Sequence, residues 1–195
     1  MDPPARCRSR SRYAASVSES PTFVWLDLEM TGLDVERCVI VEIGIVITKA
    51  DLVPLAELER VIWQPDDTLG RMEPFVRDMH TRSGLLERIR ASKVSLGDAE
   101  REAIALVARH CGLREGILAG NSIHTDRRFL ARYMPLLESF LHYRQLDVSS
   151  LKLLASAWYP ELPRFEKGEK AHTAIADLRG SLAELAYYRE KLFRA

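Results

Sequence analysis

Two carboxylates stand one residue apart at the end of the first strongly apolar segment of the chain. Residues 23–33 read FVWLDLEMTGL, and their β-branched and aromatic start predicts a buried strand that ends at the turn residues Thr31 and Gly32. Side chains alternate along a strand, so Asp27 and Glu29 are expected to point to the same face. Two negative charges held close together near a core repel each other unless a cation joins them. The segment therefore predicts a divalent cation site at the end of a strand.

The composition is ordinary for a soluble globular protein of one domain. The chain has 195 residues, of which 47% are hydrophobic and 29% are charged. No apolar run approaches the roughly 20 residues that a membrane-spanning helix needs, so no membrane partner is expected. The formal net charge is zero, which argues against a broad basic surface for long nucleic acid but leaves room for a small phosphate site.

The first twenty residues differ from the rest of the chain. Residues 1–20 are rich in arginine and serine and poor in acids, which predicts a disordered tail ahead of a single domain at 21–195. The same composition is typical of an organelle transit peptide, although Pro3 and Pro4 disfavour the amphipathic helix that such a peptide needs. A cytoplasmic location is expected, with a mitochondrial one as the alternative.

The pattern along the chain predicts an α/β fold. Strands at 23–30, 38–48 and 58–63 are joined by short loops and form an antiparallel meander. Strands at 116–121 and 144–147 then alternate with helices, which favours a mixed central sheet, meander plus parallel strands, flanked by helices. Helices are predicted at 72–80, 81–90, 95–111, 126–134, 149–158 and 173–193. The three tryptophans, Trp25, Trp63 and Trp158, are expected to pack in the core or against the sheet.

Three more residues extend the acidic pair. Asp126 stands at the start of a predicted helix, and Asp177 lies in the first turns of the final helix, where the helix dipole favours negative charge. His172 precedes Asp177 by five residues, so the two converge on one site only if His172 lies off the helix end. Thr173 is a suitable N-cap, which would place His172 there.

Three aspartates, a glutamate and a histidine suit two-metal phosphodiester hydrolysis. In that chemistry two divalent ions about 4 Å apart hold the attacking and leaving oxygens. Hard oxygen ligands select Mg²⁺ or Mn²⁺, and a histidine with a pKa near 6.5 can accept the proton of the attacking water. Each acid taken singly is more typical of a helix cap or a solvated charge, so spacing alone does not assemble the site.

Four motifs in fixed order resemble a known family. DLEMTGL at 27–33, GNSIHTDRRFL at 120–130, HYRQLDVS at 142–149 and AHTAIADLRGSLAEL at 171–185 together resemble the oligoribonuclease family. These proteins are 3′-to-5′ exonucleases with a DEDD acidic motif, a catalytic histidine and a ribonuclease H-like fold. The resemblance runs from 23 to 193, and its most specific parts are HYR-x-LDVS at 142–149 and AELAYYR at 183–189.

The resemblance implies a function, a cofactor and a catalytic set. Members degrade very short RNA, chiefly dinucleotides, to mononucleotides with two Mg²⁺ or Mn²⁺ ions. Asp27, Glu29, Asp126 and Asp177 match the metal-binding acids, and His172 matches the general base.

The resemblance also implies how the substrate is bound. Leu33 matches an apolar wedge between two bases, and His80 matches a residue that contacts the 5′-phosphate. Phe75 stands where the family usually has tryptophan, which keeps a stacking face but loses area and the indole N–H.

A second subunit is implied as well. Tyr143 matches a tyrosine that the partner subunit supplies, so a homodimer is expected to be the active form. Ser122 and Thr125 are expected near the substrate backbone. Two other functions stay open: an exonuclease for longer DNA or RNA, and a catalytically inactive binding domain, which the presence of all five catalytic residues disfavours.

Overall fold

Five strands form one mixed sheet in the computed structural model, which describes residues 20–166 and 173–193. The strands are β1 (Phe23–Met30), β2 (Ile40–Thr48), β3 (Pro54–Val61), β4 (Ile117–Gly120) and β5 (Gln145–Asp147). Their order is β3-β2-β1-β4-β5. The pairs β1–β2 and β2–β3 are antiparallel, whereas β1–β4 and β4–β5 are parallel. The predicted meander followed by parallel strands is confirmed, and β1 lies at the centre.

Eight helices flank the sheet within the described residues. They are α1 (Asp66–Gly70), α2 (Pro74–Arg82), α3 (Leu85–Ala91), α4 (Leu96–Ala108), α5 (His124–Tyr133), α6 (Pro135–Phe140), α7 (Val148–Trp158) and α8 (Ala174–Leu192). The short helices α1 and α6 were not predicted. A proline is expected to end a helix. Pro135 follows the end of α5, but it also starts α6, because proline is well suited to the first position of a helix. The predicted tail lies, apart from Ser20, outside the described residues.

The sheet separates two layers of the core, and β1 contributes side chains to both. Leu26 and Leu28 pack with residues of α4, α5 and α6 on one face of the sheet. Trp25 packs with α7 and α8 on the other face. Because side chains alternate along a strand, Asp27 and Glu29 share the face of Trp25 and point towards α8. The expectation that the two acids share one face is confirmed.

Helix α8 begins directly on the backbone of β2. Gly44 lies under the first residue of the helix, and a Cβ built on Gly44 would be 2.7 Å from the Cβ of Ala174 and 3.0 Å from its carbonyl carbon. Such distances leave no room for a side chain, so only glycine allows the helix to approach this closely. This contact brings the start of α8 over the centre of the sheet.

The prediction for the tryptophans was right for one of the three. Trp25 is fully buried, and its Nε1 donates to Thr48 Oγ1 at 3.0 Å. Trp63 and Trp158 are 49% and 68% exposed, so the prediction that they pack in the core was wrong. Trp63 lies two residues after the end of β3 and Trp158 is the last residue of α7, and the buried layers are filled mainly by aliphatic residues. Among the helices at 20–166 and 173–193, none is long and apolar enough to span a membrane.

The close approach at Gly44 predicts a large cost for the smallest substitution. Gly44→Ala places a methyl group against Ala174, so we expect a loss of about 1–3 kcal/mol in the free energy of unfolding, the usual cost of overpacking. Gly97→Ala is the matched control, because a methyl group there would meet only the end of the flexible Arg101 side chain, at 3.5 Å. It lies in a helix and is expected to be neutral or stabilising. Urea denaturation measures both, and equal effects of the two variants would contradict this account.

Candidate active site

Three carboxylates meet on the α8 face of the sheet. One carboxylate oxygen from each of Asp27, Glu29 and Asp177 lies within 4.8 Å of the other two. Strand β1 supplies the first two residues, and the first turn of α8 supplies the third. Thr173 caps this helix by accepting a hydrogen bond from Ala176 N at 3.3 Å, as the sequence predicted. Residues about 150 positions apart in the chain therefore form one acidic cluster.

Asp126 lies at the edge of this cluster and holds the backbone of β1. It is in the first turn of α5 and is buried, and its Oδ1 accepts a hydrogen bond from Leu28 N at 3.0 Å. Strand β4 pairs with β1 only as far as Trp25, so Asp126 binds an amide that the β4 ladder does not reach. The fourth predicted acid thus contacts the residue between Asp27 and Glu29.

The raised pKa of Glu29 reflects its burial first and the neighbouring negative charges second. Burial is the largest cause that raises the pKa of Glu29 to about 8, and the charges of Glu42, Asp177 and Asp126 contribute in that order. The nearest described cationic candidate is His80, whose Nδ1 lies 4.0 Å from Glu29 Oε2. A divalent cation would reverse this effect, since it favours ionised carboxylates.

The pKa of Asp126 is also raised, to about 7. Burial is the main cause, and the charge of Asp147 adds to it, while the hydrogen bond from Leu28 N acts in the opposite direction. Raised pKa values in several neighbouring acids are typical of functional sites. A cluster of hard oxygen donors whose charges are mutually unfavourable fits a divalent metal ion such as Mg²⁺ or Mn²⁺.

His80 lies inside the protein and supports the acidic strand. Its ring is only 1% exposed, and Nε2 is 2.9 Å from the carbonyl oxygen of Met30. Burial lowers the pKa of His80, so the ring is neutral at physiological pH. These contacts place His80 next to Glu29, and a contact with a 5′-phosphate stays a prediction.

Three of the predicted substrate-binding side chains are exposed. Leu33, Phe75 and Tyr143 are 68%, 73% and 68% exposed, respectively, although all three are apolar or aromatic. Leu33 follows the acids by a few residues, and Phe75 is at the start of α2. They are available to a ligand, and their roles in base binding stay predictions.

The other two predicted residues lie in the loop between β4 and α5 (Ser122) and in the first turn of α5 (Thr125). Ser122 has a φ of +50°, and its backbone N–H donates to Asp147 Oδ1 and to Ser149 Oγ, both at 3.0 Å. Thr125 Oγ1 is 3.4 Å from His124 Nε2. A left-handed residue that is not glycine is unusual and here is held by two hydrogen bonds. The loop is thus fixed in position beside Asp126.

The segment that presents Tyr143 is held by a single arginine. Arg127 donates to the carbonyl oxygens of His142 at 3.0 Å and of Tyr143 at 3.1 Å, and it forms an ion pair with Glu138 at 2.9 Å. The ring of Tyr143 stacks on His142 with centroids 4.5 Å apart, and the Arg144 guanidinium lies 5.3 Å from its centroid. Because Arg127 follows Asp126 in the sequence, one helix fixes both the acid and the tyrosine segment.

One residue near the site was not singled out from the sequence. Glu42 is fully buried on β2 and lies directly opposite Glu29 in the antiparallel register. The signal was present, since Glu42 is the only charged residue in the apolar run CVIVEIGIVIT. His172, the predicted general base, lies outside the described residues.

The fold and the acidic cluster are those of a nuclease domain. The exonuclease family model RNase T matches residues 24–185. Exonuclease I of Methylocaldum szegediense superposes with a TM-score of 0.66 at 18% identity over 88% of this chain. E. coli Exonuclease I in complex with a dA16 oligonucleotide gives a TM-score of 0.66 at 17% identity over 87% of this chain. The chain spans 41% of each of these two larger proteins, so the likeness shows the shared fold.

Curated relatives match at much higher identity and over most of their own length. The oligoribonuclease of Thiobacillus denitrificans is 47% identical over 90% of this chain and 98% of its own. That of Francisella tularensis is 44% identical over the same shares, and that of a Mycobacterium species is 48% identical over 88% of this chain and 81% of its own. The chain therefore belongs to the exonuclease family, and within it to the oligoribonucleases.

The burial of Glu29 predicts how stability depends on pH in the metal-free protein. Folding raises the pKa of Glu29 from 4.5 to about 8, so the native state binds more protons than the unfolded chain between these values. The free energy of unfolding therefore falls as the pH rises through this window. The lowered pKa of His80 acts in the opposite sense below pH 6.5, so the measurement begins at about pH 7. Between about pH 7 and about pH 8.5 we expect a loss of about 1–2 kcal/mol in urea unfolding with a chelator present.

Glu29→Gln is the control for this pH dependence. It removes the group whose pKa is raised to about 8, so the loss over the same window is expected to shrink. What is left is the share of Asp126, about a few tenths of a kcal/mol, and that of Glu42, whose pKa is also raised by burial. Saturating Mg²⁺ is expected to flatten the wild-type curve as well, because the bound cation keeps the carboxylates ionised. An equally steep curve for Glu29→Gln would show that another group is responsible.

Proposed function

We propose that this protein is a metal-dependent 3′-to-5′ exoribonuclease that hydrolyses very short RNA, chiefly dinucleotides, to mononucleotides. The observation that carries the proposal is the cluster of Asp27, Glu29 and Asp177, whose oxygens lie within 4.8 Å of one another. The relatives named oligoribonuclease support the substrate class, since this chain covers 98% of the Thiobacillus relative. The site and the family therefore point to the same reaction.

The acids of the site suit two divalent ions. Asp27, Glu29, Asp126 and Asp177 would hold Mg²⁺ or Mn²⁺ through carboxylate oxygens, which both ions prefer. When bound, the ions supply charge stabilisation to the attacking and leaving oxygens of the phosphodiester. The raised pKa values of Glu29 and Asp126 support this proposal, because the neighbouring charges are compensated only when a cation is present.

The remaining chemistry falls to the histidine before α8. His172 is proposed to accept a proton from the attacking water at a ring nitrogen, which requires a neutral imidazole. Its place in the motif AHTAIADLRGSLAEL, five residues before Asp177, supports this role.

Discrimination by substrate length would depend on two groups of side chains, apolar ones that contact the bases and polar ones that contact the phosphate and backbone. Exposed Leu33 and Phe75 offer surfaces on which bases stack, at about 1–3 kcal/mol per base and without sequence preference. His80 is proposed to contact the 5′-phosphate, and Ser122 and Thr125 are proposed to lie near the substrate backbone. A site closed at that end favours dinucleotides, because a longer chain extends beyond its contacts.

Cleavage of longer nucleic acid is the second candidate function. The structural neighbour bound to dA16 favours it, since that Exonuclease I shares this fold. The zero net charge of the present chain disfavours it, because phosphate contacts dominate the affinity for long strands.

A comparison of substrate lengths decides between the two functions. We expect kcat/KM for a 5′-phosphorylated two-mer to exceed that for a seven-mer of the same composition by at least about tenfold, equivalent to about 1.4 kcal/mol of lost contact. Single-turnover cleavage, followed by separation of the products, measures both. If the seven-mer is cleaved equally well or better, the dinucleotide proposal fails and the longer-substrate function is favoured.

A homodimer is proposed to complete the site. The Tyr143 ring is 68% exposed, although it is an aromatic side chain fixed by His142 and by the hydrogen bonds of Arg127 to the neighbouring carbonyls. A rigid exposed aromatic group is suited to contact a second molecule. We propose that this second molecule is the partner subunit with its bound substrate.

Mixed dimers test the role of Tyr143. Asp126→Asn and Tyr143→Ala are each expected to abolish or cripple turnover as pure dimers while leaving the fold intact by circular dichroism. Co-expression of the two variants is expected to restore about a quarter of wild-type activity, because half of the dimers are mixed and each has one intact site. Tyr143→Phe is the matched control for loss of the hydroxyl alone. Without restoration in the mixed dimers, Tyr143 would act within its own subunit or not at all.

A further inference from the structure

A buried carboxylate outside the predicted catalytic set contacts the helix that carries Asp177. Glu42 is fully buried on β2, and its Oε2 accepts a hydrogen bond from Ala174 N at 3.3 Å, across 132 residues of sequence. Ala174 is the first residue of α8, and the first amides of a helix have no partner within it. Glu42 therefore supplies an acceptor that the helix itself lacks.

The charge of Glu42 is compensated from another part of the fold. Arg88 of α3 places Nη2 at 3.0 Å from Glu42 Oε1 and at 3.4 Å from Glu59 Oε2 on β3. The contact with Glu42 is an ion pair rather than an aligned hydrogen bond, since no described donor points at Oε1. Burying a carboxylate is costly unless it is paired. Burial raises the pKa of Glu42, and the hydrogen bond from Ala174 N and the charge of Arg88 act in the opposite direction.

The close contact between Gly44 and Ala174, beside the Glu42–Arg88 pair, restricts movement of the start of α8. Gly44 follows Glu42 on the same face of β2, and its missing side chain lets Ala174 sit on the strand. One residue thus sets the height of α8 above the sheet, while the Glu42 carboxylate binds its first amide. Together they fix the start of the helix in position and in direction.

The geometry of the acidic cluster follows from this anchor. Asp177 is three residues after Ala174, so about one helical turn separates it from the anchored amide. A displacement of the helix start would move the Asp177 oxygen away from those of Asp27 and Glu29, which now lie within 4.8 Å. Displacements near 1 Å at a catalytic group are enough to slow a reaction about a hundredfold.

We propose that Glu42, with its partner Arg88, is a positioning residue for hydrolysis. It contacts no reacting atom and acts by holding the start of α8, so that Asp177 stays in place to share a metal ion with Asp27 and Glu29. The inference rests on the proposed metal-dependent function.

The test removes the anchor but keeps the interior filled. Glu42→Met with Arg88→Met replaces the buried carboxylate and its partly exposed partner by apolar side chains of similar size, a change that often preserves stability for buried ion pairs. We expect the concentration of Mn²⁺ that gives half-maximal activity to rise about 10–100-fold, the usual effect of losing a support of a metal ligand. We expect kcat at fixed Mn²⁺ to fall with it, while KM for a dinucleotide changes less than about threefold.

Two further variants test the hydrogen bond between Ala174 N and Glu42 directly. Glu42→Gln retains an oxygen that accepts a hydrogen bond from Ala174 N. Its half-maximal Mn²⁺ concentration is therefore expected to stay within about threefold of the wild-type value. Ala174→Pro removes the N–H donor itself at the first helical position, where proline is tolerated. Its half-maximal Mn²⁺ concentration is expected to rise as in the double Met variant. It serves as the test if the double variant fails to fold.

Hydrogen exchange separates positioning from general stability. The amides from Ala174 to Asp177 are expected to exchange faster in the Met variant, while those of β4 are unchanged. Val107→Ala, buried in the core on the opposite face of the sheet, is the control that lowers the melting temperature without touching α8. It is expected to leave the half-maximal Mn²⁺ concentration unchanged.

The outcomes are distinct. Wild-type metal dependence and wild-type exchange in the folded Met variant would overturn the inference, as would an equal shift in Val107→Ala. If the wild type cleaves no oligonucleotide with any divalent ion, the proposed function has failed instead. In that case faster exchange at the start of α8, together with weaker Mn²⁺ binding in calorimetry, would still support the anchor.

Discussion

The contact between the first turn of α8 and strand β2 is the constraint on which the acidic site depends. Gly44 lets Ala174 lie on the strand, and Glu42 binds the amide of the same residue. Without this approach Asp177 would not reach the carboxylates of β1, which precede it by about 150 residues. Most of the catalytic arrangement thus rests on one place where a helix meets the backbone of a sheet.

The site concentrates negative charge where solvation is poor, and the surrounding structure limits the cost. The pKa values of Glu29 and Asp126 are raised to about 8 and about 7, mainly by burial. Hydrogen bonds from Leu28 N to Asp126 and from Ala174 N to Glu42, together with the Arg88 ion pair, offset part of this cost. A bound cation would offset the remaining cost of burying these carboxylates close together. Metal binding and stability are therefore expected to be coupled.

The described structure divides the predicted site into a rigid interior and an exposed rim. The acids and His80 lie in or beside the core, where neighbouring contacts fix them. Leu33, Phe75 and Tyr143 project into solvent, each from the end of an element or from a short loop. Such a division is suited to a reaction that needs an exact metal geometry but tolerates any base.

Local pattern was sufficient to predict the strands, their meander and most helices, because alternation and apolar spacing act over a few residues. It also placed Asp27 and Glu29 on one face, and the ordered motifs identified the family. Tertiary packing determined the features that the local pattern did not predict. Trp63 and Trp158 are exposed although their type favours burial, and helix α6 begins at a proline that reads as a stop.

The sequence by itself therefore determined the kind of fold, the family and the set of acids that it brings to the reaction. Only the tertiary structure decided that Asp177 meets the acids of β1, that Asp126 binds Leu28 N, and that Glu42 supports α8. The physical reason is distance along the chain. Propensity and periodicity report on neighbours in sequence, whereas the separation of two carboxylates about 150 residues apart is set by how a helix packs on a sheet.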